Sequence, residues 1–236
     1  MELTAEGARL AAALGEAFGA MARAVEELTR TDAARPLQVT LTPLFANAWL
    51  MPRLPDFLHA NPGIELMLNP TFEVVELAPG GVDVAIRYGR GGWPGLEAEI
   101  LMPADFVVVG APELVRGRVA ATAADLLDLP WLQELGTTEM QEWLRAHGVE
   151  GPPRGSVTHM PSHSMLEALR AGVGVTVAAR PVVARDLAQG RLVEILAEPA
   201  CEDGYWIVTR PGPPRPAARA FVAWLRRHAP RQVAAG

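Results

Sequence analysis

Two neighbouring stretches decide how this chain folds: LTPLFANAWLMPRLPDFLHANPGIELML, from Leu41 to Leu68, and GVDVAIRYGRGGWPGLEAEIL, from Gly81 to Leu101. In each, a short apolar run ends in polar or glycine residues, and in the first a longer stretch with helical spacing follows. This alternation is typical of α/β units with mostly parallel strands. We therefore expect an α/β fold.

The same reasoning extends to the rest of the chain. Short apolar runs predict strands at 37–41, 64–68, 82–86, 106–109, 175–178 and 205–208. Longer periodic stretches predict helices at 45–60, 73–78, 139–147, 164–171, 182–189 and 217–228.

The first 30 residues form a separate pattern. Residues 4–30 contain no proline, and small or apolar side chains recur alternately four and three residues apart, at Gly7, Ala11, Leu14, Phe18, Met21, Val25 and Leu28. Such spacing predicts a long helix with a coiled-coil seam, with Thr4 as its N-cap. An amphipathic helix that packs on its own domain also fits the pattern.

Composition and charge exclude several classes of protein and of site. The chain has 236 residues, 50% of them hydrophobic, with 21 basic and 27 acidic side chains and a net charge of −6. The basic residues are scattered, so we expect no direct binding of DNA by this chain. A single cysteine excludes an internal disulfide and a multi-cysteine metal site. We see neither a signal sequence nor a membrane span and expect a cytoplasmic protein.

The quoted stretches, with LTAEGARL at Leu3 and FVAWLRRH ending at His228, resemble the effector-sensing half of LysR-type transcriptional regulators. The branch is that of the glycine-cleavage activator and the beta-lactamase regulator. The resemblance implies a linker helix over 1–35 and two Rossmann-like lobes joined by two hinge strands, as in type 2 periplasmic-binding proteins. Lobe I would comprise 36–100 plus 207–236, and lobe II 101–206. The family carries a winged helix-turn-helix before the linker helix, and we expect this DNA reader to be absent from the chain.

The resemblance also implies a function. The chain would bind a small anionic metabolite between the lobes and thereby control DNA binding and transcription. Its partners would be a second copy of itself, as homodimer or homotetramer, DNA through the missing N-terminal region, and RNA polymerase as a further candidate. The predicted dimer contacts are Ala11, Leu14, Phe18, Met21, Val25 and Leu28. A free-standing small-molecule-binding protein is the main alternative, and an enzyme that uses the cleft is a weaker one.

Candidate ligand contacts follow from the rule that ligands bind at the carboxyl ends of strands and at helix N-termini. They are Thr42, Pro43, Leu44, Phe45, Asn69, Thr71, Arg87, Tyr88, Ser162, Ser164 and Tyr205, and the family resemblance adds Asp83. Tyr205 and Asp83 match pocket motifs of the beta-lactamase regulator, whereas Leu44 stands where that regulator has a threonine.

Three of these candidates leave two interpretations open. Arg87 would clamp a carboxylate bidentately or pair with Asp83 or Glu99. Thr42 and Ser162 would contact a ligand or cap their helices, and capping is the more frequent role of such residues.

We expect no catalytic group, cofactor or metal. His159 and His163 are four residues apart, but Pro161 lies between them and no metal-binding motif surrounds them. Ser162 and Ser164 lack the G-x-S-x-G turn of hydrolase nucleophiles.

Overall fold

The computed structural model describes residues 35–116, 120–197 and 203–230, together with Thr4, Gly7, Leu14, Gly15, 17–19 and Met21. Strands in this part of the chain are β1 (Leu37–Leu41), β2 (Leu66–Pro70), β3 (Val84–Gly89), β4 (Glu97–Pro103), β5 (Phe106–Gly110), β6 (Trp131–Glu134), β7 (Val157–Met160), β8 (Thr176–Ala179), β9 (Val193–Ala197) and β10 (Gly204–Thr209). The helices are α1 (Leu54–Ala60), α2 (Pro112–Val115), α3 (Glu139–Ala146), α4 (Ser162–Arg170), α5 (Arg180–Ala188) and α6 (Pro216–His228), with a π-helix at Phe45–Leu50 and a 3-10 turn at Ala123–Leu126.

Five strands form the larger sheet, in the order β2-β1-β3-β10-β4. β1 pairs in parallel with β2 and β3. β10 runs antiparallel to β3 and β4, so the chain leaves this sheet through β4 and returns to it through β10. These two adjacent strands therefore carry both connections between the five-stranded sheet and the rest of the fold.

The chain between β4 and β10 builds a second group of strands. β5 lies between β8 and β9 and is antiparallel to both. β6 and β7 form a parallel pair, which a parallel bridge from Trp131 to Val175 links toward β8. The α/β class is as expected, but the expectation of mostly parallel strands is wrong for β4, β5, β8, β9 and β10.

Aromatic side chains fill the core beneath the five-stranded sheet. Phe57, Phe221 and Trp224 pack against one another, with ring centroids 5.1 to 5.8 Å apart. Trp224 also donates a hydrogen bond from its ring nitrogen to Asp56, at 2.7 Å. The last helix thus closes this sheet, because its buried face carries Phe221, Val222, Trp224 and Leu225.

Three sequence-based predictions of helices and strands need correction. The predicted helix 45–60 is a π-helix and a separate α1, because Pro52 cannot donate a helical hydrogen bond and Pro55 lies in the first turn of α1, where proline favours a helix start. The segment 73–78 contains no helix. The strands β4, β6, β7 and β9 were not among the six predicted runs; charged or polar residues such as Glu97, Gln133 and Glu194 interrupt their apolar character.

The described positions of the N-terminal segment agree with part of the helix prediction. The Gly7 amide donates to the Thr4 hydroxyl at 3.1 Å, the contact expected of an N-cap. Leu14, Phe18 and Met21 are 47, 65 and 62% exposed. Ala11, Val25 and Leu28 lie outside the described residues.

No helix among the described residues is long and apolar enough to cross a membrane.

Candidate functional site

A cavity of about 300 Å³ lies between the five-stranded sheet and the strands of the second group. Thr42 follows β1, and Tyr88 and Tyr205 belong to β3 and β10. The opposite side is formed by Phe106, Glu134, Glu139 and residues 177–179. Both strand groups therefore contribute to one binding space.

The structure brings some of the predicted contacts to this cavity and not others. The lining includes Thr42, Leu44, Arg87, Tyr88 and Tyr205. The predicted contacts that do not line it are Pro43, Phe45, Asn69, Thr71, Asp83, Ser162 and Ser164.

Thr42 does not cap a helix. Its hydroxyl oxygen is buried and has no hydrogen-bond partner among the described residues, and the following helical turn has no side-chain cap. The preference for capping was therefore wrong. Beside it, Tyr205 packs against Phe45 with ring centroids 4.8 Å apart. Burial raises the pKa of the Tyr205 phenol, the nearby Glu139 carboxyl adds to this effect, and the adjacent Thr42 hydroxyl opposes it. The phenol is therefore a neutral hydrogen-bonding group.

Arg87 lines the cavity but is not a free carboxylate clamp. One terminal nitrogen donates to the Thr71 and Ile86 carbonyls at 3.4 and 3.3 Å. The other donates to the Thr40 hydroxyl at 2.8 Å and the Glu73 carbonyl at 3.1 Å. Each terminal nitrogen has two hydrogens, so these four contacts engage all the hydrogens of the two terminal nitrogens. Burial lowers the Arg87 pKa, but the guanidinium remains charged.

Asp83 lies outside the cavity, in an ion pair. It is 6% exposed and accepts hydrogen bonds from Arg35 at 2.7 and 3.0 Å and from Arg215 at 3.2 Å. The Gln38 amide donates to the same carboxylate at 3.0 Å. Its partners fix the start of β3, so the expected ligand contact at Asp83 is replaced by a structural one. Glu99 pairs with Arg226, so neither acid proposed as a partner of Arg87 takes that role.

Ser162 connects the two sides of the cleft. It is the first residue of α4, Pro161 occupies the N-cap position, and no side-chain cap is present; the capping prediction is therefore wrong. Instead the Ser162 hydroxyl accepts a hydrogen bond of 2.6 Å from the Asn47 side-chain amide. Asn47 lies in the π-helix, so this bond joins residues 115 positions apart across the cleft.

Sequence reasoning missed both acidic residues of the cavity: Glu134, the last residue of β6, and Glu139, the first residue of α3. Burial raises the pKa of Glu134 to about 8, the Glu139 charge adds to the increase, and Ser162 opposes it. Burial also raises the pKa of Glu139, against a hydrogen bond from Thr137. For Glu134, the available signal was a carboxylate at the end of the largely apolar run LPWLQ.

The described residues contain no group of three or more His, Cys, Asp and Glu side chains able to hold a metal ion. His159 lies in β7 and His163 in α4. The cavity thus combines two carboxylates, two phenols, one hydroxyl and an engaged guanidinium with an otherwise apolar lining.

Known proteins are similar to this chain over most of its length. Residues 30–230 match the LysR substrate binding domain. The chain belongs to the LysR family of transcriptional regulators. The AhcY transcriptional activator HvrB of Rhodobacter capsulatus is 36% identical over 230 residues, which cover 97% of this chain and 78% of the relative. The transcriptional activator AmpR of Pseudomonas aeruginosa is 34% identical over 229 residues, covering 94% and 76%.

Solved structures of LysR-family members agree. The effector domain of P. aeruginosa AmpR superposes with a TM-score of 0.62 at 34% identity, covering 82% of this chain and 95% of that domain. The full-length virulence activator AphB of Vibrio cholerae gives a TM-score of 0.63 at 18% identity over 98% of this chain and 81% of that one, a likeness of fold alone. This LysR-family chain therefore has the two-lobed, periplasmic-binding-protein-like fold of effector-binding domains.

Proposed function

We propose that this LysR-family chain senses a small metabolite in the cavity between its lobes and passes the result to DNA-binding domains through subunit contacts. The observation that carries the proposal is the cavity itself, whose lining comes from both strand groups. A ligand that contacts both sides favours one arrangement of the lobes, and it can shift the equilibrium only by its difference in affinity for the two arrangements.

The lobe boundaries that we propose are 36–100 plus 207–236 for lobe I and 101–206 for lobe II. β4 and β10 span these boundaries as an antiparallel pair. Because both connections pass through adjacent strands, a small change in their twist would reorient one lobe against the other. The Asn47–Ser162 hydrogen bond is a contact that such a motion would break.

The remaining site residues that we propose are Thr42, Leu44, Tyr88 and Tyr205, with Arg87 as a residue that holds the 71–73 segment. Catalysis is not part of the proposal, because the relatives are transcriptional activators. We place the protein in the cytoplasm, where such regulators act, and keep RNA polymerase as a candidate partner.

The proposed dimer contact is the N-terminal helix. The exposure of Leu14, Phe18 and Met21 in the single chain supports it, because exposed large apolar residues with heptad-like spacing favour association. Phe18→Asp should lower the mass measured by light scattering. Val74→Asp is the control, because Val74 is also exposed, at 94%, but lies outside the helix. An unchanged mass for Phe18→Asp would contradict this contact.

The sensing function is tested by filling the cavity. Ala178 is 2% exposed and lines the cavity, so Ala178→Phe should place a ring in the space that a ligand needs. A thermal-shift screen of small metabolites should yield compounds that stabilise the natural chain but not Ala178→Phe. Far-ultraviolet circular dichroism checks that the variant is folded. Equal stabilisation of a folded Ala178→Phe by every active compound would show that ligands bind elsewhere.

A further inference from the structure

One of the two cavity glutamates, Glu134, has a buried and unsatisfied carboxyl oxygen. Glu134 is 4% exposed, and its Oε1 atom is buried without a hydrogen-bond partner among the described residues. The residue lines the cavity, as does Glu139 from a different element. A buried carboxyl oxygen without a partner costs free energy, so this atom is available to a hydrogen-bonding or charged group of a ligand.

The charge balance of the cavity indicates what that group is. Arg87 provides the cationic side chain on the lining, and its terminal nitrogens are engaged by Thr40 and by backbone carbonyls. Among the described residues, no ion pair joins Glu134 or Glu139 to a basic side chain. The open space of the cavity therefore lies beside two carboxyl groups that have no basic partner among the described residues.

The rest of the lining describes the remainder of the ligand. Leu44, Phe72, Trp93 and Phe106 contribute apolar and aromatic surface to the cavity. Such surface favours a hydrocarbon or aromatic body, because burial of apolar area stabilises the complex. A volume of about 300 Å³ suits a ligand at the small end of the usual range.

We propose that the ligand carries a cationic nitrogen, such as a primary ammonium group, which Glu134 and Glu139 hold, and an apolar body that packs on the aromatic lining. This inference rests on the proposed function of the cavity as the effector site. It differs from the expectation of an anionic metabolite, which was based on Arg87 as a free carboxylate clamp and on the N-terminus of the helix that Ser162 begins.

A different chemistry would use the same residues: a neutral Glu134 could donate a hydrogen bond to an anionic ligand. Because burial raises the pKa of Glu134 to about 8, the ligand-free protein holds this proton at neutral pH. An ammonium ligand requires the ionised carboxylate, so its binding releases the proton to solvent. A carboxylate ligand requires the proton to stay. The two chemistries therefore predict opposite pH dependence.

Other titratable groups of the lining do not reverse this sign. Glu139 has a raised pKa as well, so it also gains charge as the pH rises. Tyr205 stays neutral because burial raises its pKa, and Arg87 stays charged. Below the pKa of Glu134, the affinity for an ammonium ligand should rise by up to about tenfold per pH unit, whereas that for a carboxylate should not.

The test uses two matched series of probes with the full chain. Phenethylamine, L-phenylalanine and 3-phenylpropanoate share an aromatic body, and isoamylamine, L-leucine and 4-methylpentanoate share an aliphatic one. Isothermal titration should show binding of amine-bearing members in at least one series and none of the two carboxylates. Binding of the carboxylates alone, or of no amine at millimolar concentration, overturns the inference.

Glu134→Gln provides the residue-level test, because glutamine keeps the shape and hydrogen bonding of a neutral carboxyl but cannot become charged. It should weaken binding of the active amine about 10- to 100-fold and abolish its pH dependence. Glu167→Gln is the control, since Glu167 is exposed and pairs with Arg170 away from the cavity. Unchanged amine affinity in Glu134→Gln overturns the inference.

The outcomes also separate this inference from the proposed function. If carboxylates bind and Ala178→Phe abolishes their binding, the cavity is the effector site but its ligand is anionic. If every active probe binds a folded Ala178→Phe equally well, both proposals fail. Thermal melts of the ligand-free proteins provide a further test. Near pH 8, Glu134→Gln should have a higher melting temperature than the natural chain. A clearly lower one would mean that Glu134 has a structural role.

Discussion

Two buried acids of this protein, Asp186 and Glu134, differ in their hydrogen-bond partners. Asp186 in α5 is 2% exposed and Glu134 in the cavity is 4% exposed. Asp186 accepts hydrogen bonds from Arg170 at 2.8 and 3.0 Å and from Arg191 at 2.6 Å. Glu134 has a buried oxygen without a partner. Burial alone therefore does not mark an acid as a binding group; a buried oxygen without a hydrogen-bond partner does.

The pKa directions follow the same division. Burial by itself raises the pKa of Asp186, but the hydrogen bonds from Arg170 and Arg191 outweigh burial and bring the pKa below its usual range. For Glu134, burial and the neighbouring Glu139 both raise the pKa. Asp186 therefore stabilises the fold as an anion, whereas Glu134 is tolerated because it can hold a proton.

The largest expected effect is the loss of the partnered acid. Asp186→Ala should lower the free energy of unfolding by about 3 kcal/mol, the low end for a broken buried ion pair, because both arginines stay partly solvated. Urea denaturation measures it. Glu167→Gln removes only the exposed pair with Arg170 and should cost less than about 1 kcal/mol. Equal losses in the two variants would break the comparison.

The second prediction concerns pH. The folded-state pKa of Glu134 is raised from 4.5 to about 8, so the folded chain binds this proton more tightly than the unfolded chain. The stability from Glu134 should fall as the pH rises from about 5 to 8, by at most about 1.4 kcal/mol per unit. Asp186 has the opposite sign, and its contribution is lost as the pH falls through its lowered pKa.

Urea melts of the ligand-free natural chain and of Glu134→Gln at several pH values measure this slope. The difference in stability between the two chains should grow in favour of the variant as the pH rises. A difference that stays constant from pH 5 to 8 would mean that Glu134 ionises normally.

The smallest effect should come from Thr42. Its buried hydroxyl has no partner among the described residues, so Thr42→Val should leave stability unchanged or raise it by up to about 1 kcal/mol. Thr176→Val is the matched control, because the Thr176 hydroxyl is buried and donates to the Leu132 carbonyl at 2.8 Å; it should cost about 1 kcal/mol. Thermal melts of both variants decide, and a destabilised Thr42→Val would assign that hydroxyl a structural role.

Sequence reasoning located part of the cavity through strand ends. Thr42, Tyr88 and Tyr205 line it, because the chain turns into the cleft where β1 ends and where β3 and β10 lie side by side. Asp83 shows the limit of the same reasoning. Its motif matched a pocket residue, yet Arg35 and Arg215, 48 and 132 positions away, engage it, and such distant partners leave no local pattern.

The α/β class and the family could be predicted from the sequence, because hydrophobic periodicity and motifs are local properties of the chain; the N-terminal helical seam stays a prediction. The tertiary structure alone decided which polar groups are satisfied. The terminal nitrogens of Arg87 donate hydrogen bonds to carbonyls of the 71–73 segment and of Ile86. Glu134, in contrast, lies buried without a partner for Oε1 among the described residues. Whether a charge is neutralised depends on groups that folding brings together, and that sets the charge of the cavity.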